Sequence, residues 1–303
     1  MNIEANVMEG LEDPPAIPSA TVSPGRSFYW SVRREVWENR AIYTAPIAVA
    51  GLALFGFLLS LLTGHAGGLG ATQRERAELV PYDFAAGVLM LTAMIVGFFY
   101  SLDSLYGERR DRSILFWKSL PVSDLTTVLS KAVVPIFIIQ LVGFGITVVL
   151  QLAMLGLGSA ALLGKGQSPA ALWSGIAFTG MFLMLLYHLF TIHMLWHAPI
   201  YGWLMMVSAW ARKSPFLWAL LPPLGIMALE KIAFNTAHFG HLLAYRFMGG
   251  PSAMTMGGGM PIHPDTMITP GKFLMAPGLW GGLLVTAGFL IAAARLRRYR
   301  GPI

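Results

Sequence analysis

The sequence predicts an all-α polytopic membrane protein with six transmembrane helices and both termini in the cytoplasm. Three observations carry this reading. The 303 residues are 55% hydrophobic and 12% charged, against about 25% charged in a soluble domain. The apolar residues gather into six stretches, each near the ~20 residues a helix needs to cross the hydrocarbon core. The lysines and arginines fall mainly on one side of those stretches.

The elements follow in order. Residues 1–26 are acidic and Pro-rich, with Glu4, Glu9, Glu12, Asp13, Pro14, Pro15, Pro18 and Pro24. They lack the basic flank and short apolar core of a signal peptide and read as a disordered cytoplasmic tail. Residues 27–40, SFYWSVRREVWENR, have helical spacing. Tyr29, Val32, Val36 and Trp37 share one face, while Arg33, Arg34, Glu38 and Arg40 fall elsewhere. This is an amphipathic helix expected to lie in the interface and lead into the first span. The transmembrane domain covers 41–294, with spans at about 41–62, 84–105, 128–157, 171–196, 215–234 and 279–294. A cytoplasmic loop occupies 106–127, a Gly- and Met-rich external loop 235–277, and a basic cytoplasmic tail 295–303. The fourth stretch stays apolar to Trp210. Pro199 is expected to break it into a span and a shorter interfacial piece, and a seventh span is the alternative there.

Charge placement sets the orientation. With six spans and the N-terminus inside, cytoplasmic segments hold Arg26, Arg33, Arg34, Arg40, Arg109, Arg110, Arg112, Lys118, Lys131, Arg212, Lys213, Arg295, Arg297, Arg298 and Arg300. External segments hold only Arg74, Arg76, Lys165, Lys231, Arg246 and Lys272. The pI near 9.7 therefore reflects topology and not nucleic-acid binding. Without cysteine, disulfides and Cys-based metal or redox sites are excluded.

The densest charge cluster lies in YGERRDRSILFWKSLPVSDLTTVLSK, residues 106–131. Glu108, Arg109, Arg110, Asp111 and Arg112 form a charged turn; Ile114, Leu115, Phe116 and Trp117 form an apolar run closed by Lys118. Pro121 is expected to end that short helix. Ser123 suits the N-cap of the third span, and Asp124 the positive end of its dipole. Reversing direction needs only a few residues, so the excess length points to a docking surface.

The segment GERRDRSILFWKSLPVSDLTTVLSK resembles the intracellular loop of ABC-2 type transporter permeases, in which a charged turn, an aromatic helix and an SLP turn precede a lysine of the next span. RREVWENR is similar to that family's connecting helix, and SAWARKSPFLWALLPPLGIMALE, residues 208–230, to its fifth-span region. The resemblance implies that the loop is a coupling helix docked on a separate P-loop ATPase subunit, with a second copy of the permease completing the transporter. Carried over by residue, Glu108, Arg109, Arg110, Asp111, Arg112, Phe116, Trp117 and Lys118 would contact the ATPase. Glu35, Trp37 and Glu38 would support them from the connecting helix. The resemblance further implies alternating access, a bacterial-type inner membrane, and no cofactor on this chain, with ATP and Mg bound by the partner.

The chain has no ATPase motif of its own. GSAALLGKG, residues 158–166, has Ser159 and Gly166 where a P-loop needs Gly and Ser/Thr. Other ionisable residues in apolar stretches are candidates for a pathway or gate: His188, His193 and Glu230, with Pro222 and Pro223 as a kink or hinge. His188, His193 and His197 also admit a second reading, a polytopic membrane enzyme, although no H-E-x-x-H pattern is present. A third is a non-transporting membrane scaffold. Met254, Met256, Met260 and His263 are ligand types that suit Cu(I). Gly278 and Gly282 form a G-x-x-x-G pair at the start of the last span.

Overall fold

The computed structural model describes residues 23–63, 71–120, 122–170, 172–173, 178–249 and 270–303. The N-terminal tail through residue 22, Pro121, the start of the expected fourth span and the Met-rich segment around Met254 to His263 lie outside the described residues. Among the described residues the fold is entirely helical. Six helices are long and apolar enough to cross a membrane, so this is a multi-pass membrane protein. Helices alone satisfy the backbone within lipid.

The chain begins with α1 (Pro24–Glu38), followed directly by α2 (Ala41–Thr63) and α3 (Ala71–Asp103). Two short helices, α4 (Tyr106–Arg110) and α5 (Ile114–Ser119), occupy the loop region, and α6 (Asp124–Val133) starts the next long rod. One π-helical turn, Val134–Ile138, joins α6 to α7 (Ile139–Gly164). Together they run 41 residues, about 60 Å at 1.5 Å per residue. This is twice the hydrocarbon thickness, so the rod projects beyond the bilayer. Ser123 caps its start, its hydroxyl accepting from Thr126 N at 3.0 Å.

The fourth apolar stretch is divided at His197. α8 (Phe178–His188), a π-helical segment (Leu189–Trp196) and α9 (Ala198–Trp210) form one path of 31 residues from Gly180. Pro199 stands in the first turn of α9, where a missing N–H costs no intrahelical bond, so the helix boundary lies just before it. The bend falls at His197, whose N–H bonds Ile192 O five residues back at 3.0 Å. α9 continues from that bend for 13 residues and packs on α13, and six helices long and apolar enough to cross a membrane are found among the described residues.

The chain then runs through α10 (Pro215–Phe234), α11 (His238–Phe247), α12 (Pro270–Leu274) and α13 (Pro277–Tyr299). The core has two main parts. One packs α9 against α13, with Tyr201, Leu204, Met205 and Ala293 fully buried. Gly202 lets the two backbones approach, since a Cβ there would lie 3.4 Å from Thr286 Cα. The other packs α2 and α3 on α7, with Leu89, Met154 and Leu155 buried. α10 stays peripheral: Leu221, Leu229 and Ile232 face outward.

Pro222 and Pro223 lie inside α10, which continues through them. Pro223 cannot donate to the carbonyl of Ala219, four residues back. Trp203 of α9 supplies the missing donor, its indole N–H meeting Ala219 O at 3.1 Å.

Candidate docking and coupling site

At the end of the bundle that carries α4 and α5, α1, α4, α6 and α13 converge on a buried ionic network. Its carboxylates are Glu35, Glu108 and Asp124, and its cations are Arg34, Lys131 and Arg297. Glu35, Glu108, Lys131 and Arg297 are each less than 10% exposed. Lys131 Nζ lies 2.7 Å from Glu35 Oε1 and 3.2 Å from Glu108 Oε1. Arg297 reaches Glu108 Oε2 at 3.3 Å and also pairs with Asp124. Arg34 donates to Glu35 Oε1 at 2.6 Å, and Glu38 joins at the rim, 3.6 Å from Arg34. The Tyr100 hydroxyl donates to Glu35 Oε2 at 2.9 Å.

Three cations against three carboxylates balance the buried charge, which is the condition for keeping ions out of water. Burial raises the Glu35 carboxyl pKa, but the Lys131 ammonium and the Arg34 guanidinium outweigh it and hold the group below the usual carboxylate range. Pairing is incomplete elsewhere. Glu108 Oε1, Arg34 Nε and Arg297 Nε have no aligned hydrogen bond.

The α3–α4 joint is held by Ser208 of α9, whose buried hydroxyl accepts from Leu105 N at 3.1 Å and Tyr106 N at 2.8 Å. Arg109 turns inward and closes the end of α9, donating to Ala209 O at 2.7 Å and Ala211 O at 2.9 Å. The chain reverses between α4 and α5 at Arg112, which adopts φ 59°, a left-handed conformation uncommon without glycine. Lys118 donates to Arg298 O and Arg300 O, each at 3.3 Å, tying α5 to the end of α13.

This geometry divides the predicted contact set. Arg110, Asp111, Arg112, Phe116 and Lys118 are exposed, with Phe116 60% accessible beside a half-buried Trp117. Glu108 and Arg109 face inward instead: only 8% and 3% exposed, they bind this chain's own helices. Trp117 lies beneath Arg34, whose guanidinium carbon sits 3.7 Å from the ring centroid. On α1, the face turned to the protein holds Arg34 and Glu35, not the Tyr29–Trp37 stripe. Tyr29, Trp30 and Trp37 point outward, and Arg33 stacks 4.9 Å from Trp30 and 4.4 Å from Trp37. Arg297, only a topology marker in the sequence, and Lys131, also the lysine that closes the resembling loop segment, are central. Their one local signal is position: each falls on a helix face otherwise occupied by small or apolar residues.

The remaining candidates lie apart from this site. His193 and His197 stack edge to face at 5.5 Å. His197 Nε2 is 3.3 Å from Phe247 O, and His188 Nδ1 is 2.9 Å from Met184 O. The first joins the His197 bend to the end of α11 and the second lies within α8, and among the described residues no group of three or more His, Asp or Glu is arranged for a metal. Glu230 caps α11, accepting from His238 N at 2.6 Å and Phe239 N at 2.9 Å. Arg246 of α11 donates to Gly278 O at 2.8 Å and lies against Gly282, where a Cβ would be 2.7 Å from its guanidinium. The G-x-x-x-G pair thus seats an arginine and a Trp196 ring within this chain.

Comparison with known protein families, curated proteins and solved structures finds no match for this chain.

Proposed function

We propose that this chain is the membrane-spanning subunit of an ABC-2 type exporter, driven by a separate P-loop ATPase that docks on the exposed part of residues 110–118. A second copy of the permease and the lipid bilayer complete the assembly. The charge bias places the α4–α5 end, and both termini, in the cytoplasm; a bacterial-type inner membrane follows from the resemblance. ATP and Mg bind the partner, and this chain hydrolyses nothing.

One observation supports this reading above the others: the exposed loop is wired to the spans. Glu108, adjacent to the free surface, meets Lys131 at the head of the third span and Arg297 at the foot of the sixth. A push on Arg110 or Phe116 is therefore delivered to two rods and to α1 at once. The unbonded atoms of Glu108, Arg34 and Arg297 give the network spare capacity to exchange partners without stripping a charge, as a two-state coupling requires. Exposed aromatics would supply binding energy and the charges orientation.

Affinity purification of the full chain from its native membrane in Mg-ATP should retain a P-loop ATPase. The pair Arg110→Glu and Phe116→Asp should release it without unfolding the chain. Recovery of the intact chain with no nucleotide-hydrolysing partner, or with one unaffected by those substitutions, overturns the reading.

A further inference from the structure

The link between α9 and α10 carries a second site. α9 ends at Trp210 and α10 starts at Pro215, so the residues between two consecutive spans stand at a membrane surface. Trp210 and Trp218 pack edge to face with centroids 4.7 Å apart. With Ala211, Arg212 and Arg300 they line a surface cleft of about 210 Å³. The guanidinium of Arg109 stands within electrostatic reach of those of Arg212 and Arg300. Arg109 and Arg300 are held by carbonyls, including Trp210 O, which leaves their charge in place. Arg212 makes no hydrogen bond or ion pair among the described residues, and no carboxylate forms an ion pair with any of the three. Neighbouring like charges repel unless an anion joins them. The N-terminus of the 20-residue α10 opens beside them without a side-chain cap, adding the positive end of its dipole.

We propose that this cleft binds the phosphate of an anionic phospholipid, between Arg212 and Arg300, with the glycerol against the Trp210–Trp218 pair. The outward apolar face of α10 at Leu217 and Leu221 receives the acyl chains. Indoles suit this level of the bilayer because one edge is apolar and the other carries an N–H. A soluble anion would share the phosphate contacts and leave the indoles and the α10 face unused, which favours the lipid.

Native mass spectrometry of the full chain in detergent tests this, with phosphatidylglycerol and phosphatidylcholine offered at equal concentration. Phosphatidylglycerol should be retained in preference. Arg212→Gln should weaken it about fivefold and Arg212→Gln with Arg300→Gln ~25-fold, at about 1 kcal/mol per basic residue near the surface. Arg212→Lys should keep most of the preference. Because Arg212 makes no hydrogen bond or ion pair among the described residues, its loss tests binding without testing the folded contacts described above. Equal retention of the two lipids, or an unchanged preference in Arg212→Gln, overturns the site. Displacement of the lipid by millimolar inorganic phosphate would assign the cleft to a free anion and overturn the lipid assignment.

Discussion

The Lys131 ammonium lies 2.7 Å from Glu35 Oε1, although 96 residues separate the two in the chain. This contact fastens α1 to the head of the long α6–α7 rod. It also brings both within reach of Glu108, the inner neighbour of the exposed docking segment.

Removing one partner should cost more than removing the pair. Lys131→Met leaves Glu35 and Glu108 buried with one cation fewer, a loss of about 3–5 kcal/mol for a broken buried pair. Lys131→Met combined with Glu35→Gln should recover part of that loss. Unfolding midpoints of the detergent-solubilised single and double variants measure the coupling, and strict additivity would contradict the contact.

Acid should release α1. The folded pKa of Glu35 lies below the ordinary value of 4.5, so the folded state binds this proton less readily than the unfolded one. Its contribution is therefore fully present above about pH 4.5 and is lost as pH falls through the lower folded value. Hydrogen exchange across residues 24–38 should stay protected at pH 5 and rise below pH 4. In Glu35→Gln the protection should be lower at pH 5 and should lack the acid step.

Surface and buried charges of the loop should separate in two assays. Arg110→Glu changes an exposed side chain and should leave the unfolding midpoint in place while weakening ATPase retention. Glu108→Ala strips the anion shared by Lys131 and Arg297 and should lower the midpoint by several degrees before any partner is added. Equal effects of the two substitutions on stability would contradict the inward orientation of Glu108.

Trp203→Phe keeps most of the ring and deletes the N–H that serves Ala219 O. The unsatisfied carbonyl should cost about 1–3 kcal/mol. Pro223→Ala restores an intrahelical donor, so Trp203→Phe should cost much less in that background. A cycle of four thermal unfolding midpoints checks the compensation.

Much of the local architecture was legible because the bilayer makes local demands. Backbone groups in lipid have no water to pair with and are satisfied chiefly within their own helix, so 20-residue apolar runs announce spans, and α10 (Pro215–Phe234) has the limits expected for the fifth. Ser123 before Asp124 marked a helix start for the same reason: a cap and a dipole act within one turn. Pro199 marked a helix boundary, and the structure shows it as the first-turn proline of α9, just after the π-helical segment ends at Trp196. The eight carried-over loop residues do not all face one way. At 3.6 residues per turn a run of helical residues covers every side of the helix, so Glu108 and Arg109 turn inward while Arg110 and Asp111 face out.

By itself the sequence determined that this chain lives in a membrane, how many apolar helices it has, and where its charges interrupt them. Tertiary structure alone decided that Glu35, Glu108, Lys131 and Arg297 meet. Arg297 and Glu108 are 189 residues apart, and no periodicity of 3.6 residues encodes a meeting at that separation. The physical reason is the range of the forces. Lipid and backbone hydrogen bonds select structure within one helix, whereas a buried charge is tolerable only beside its counter-charge. Which one it finds depends on how the finished helices pack.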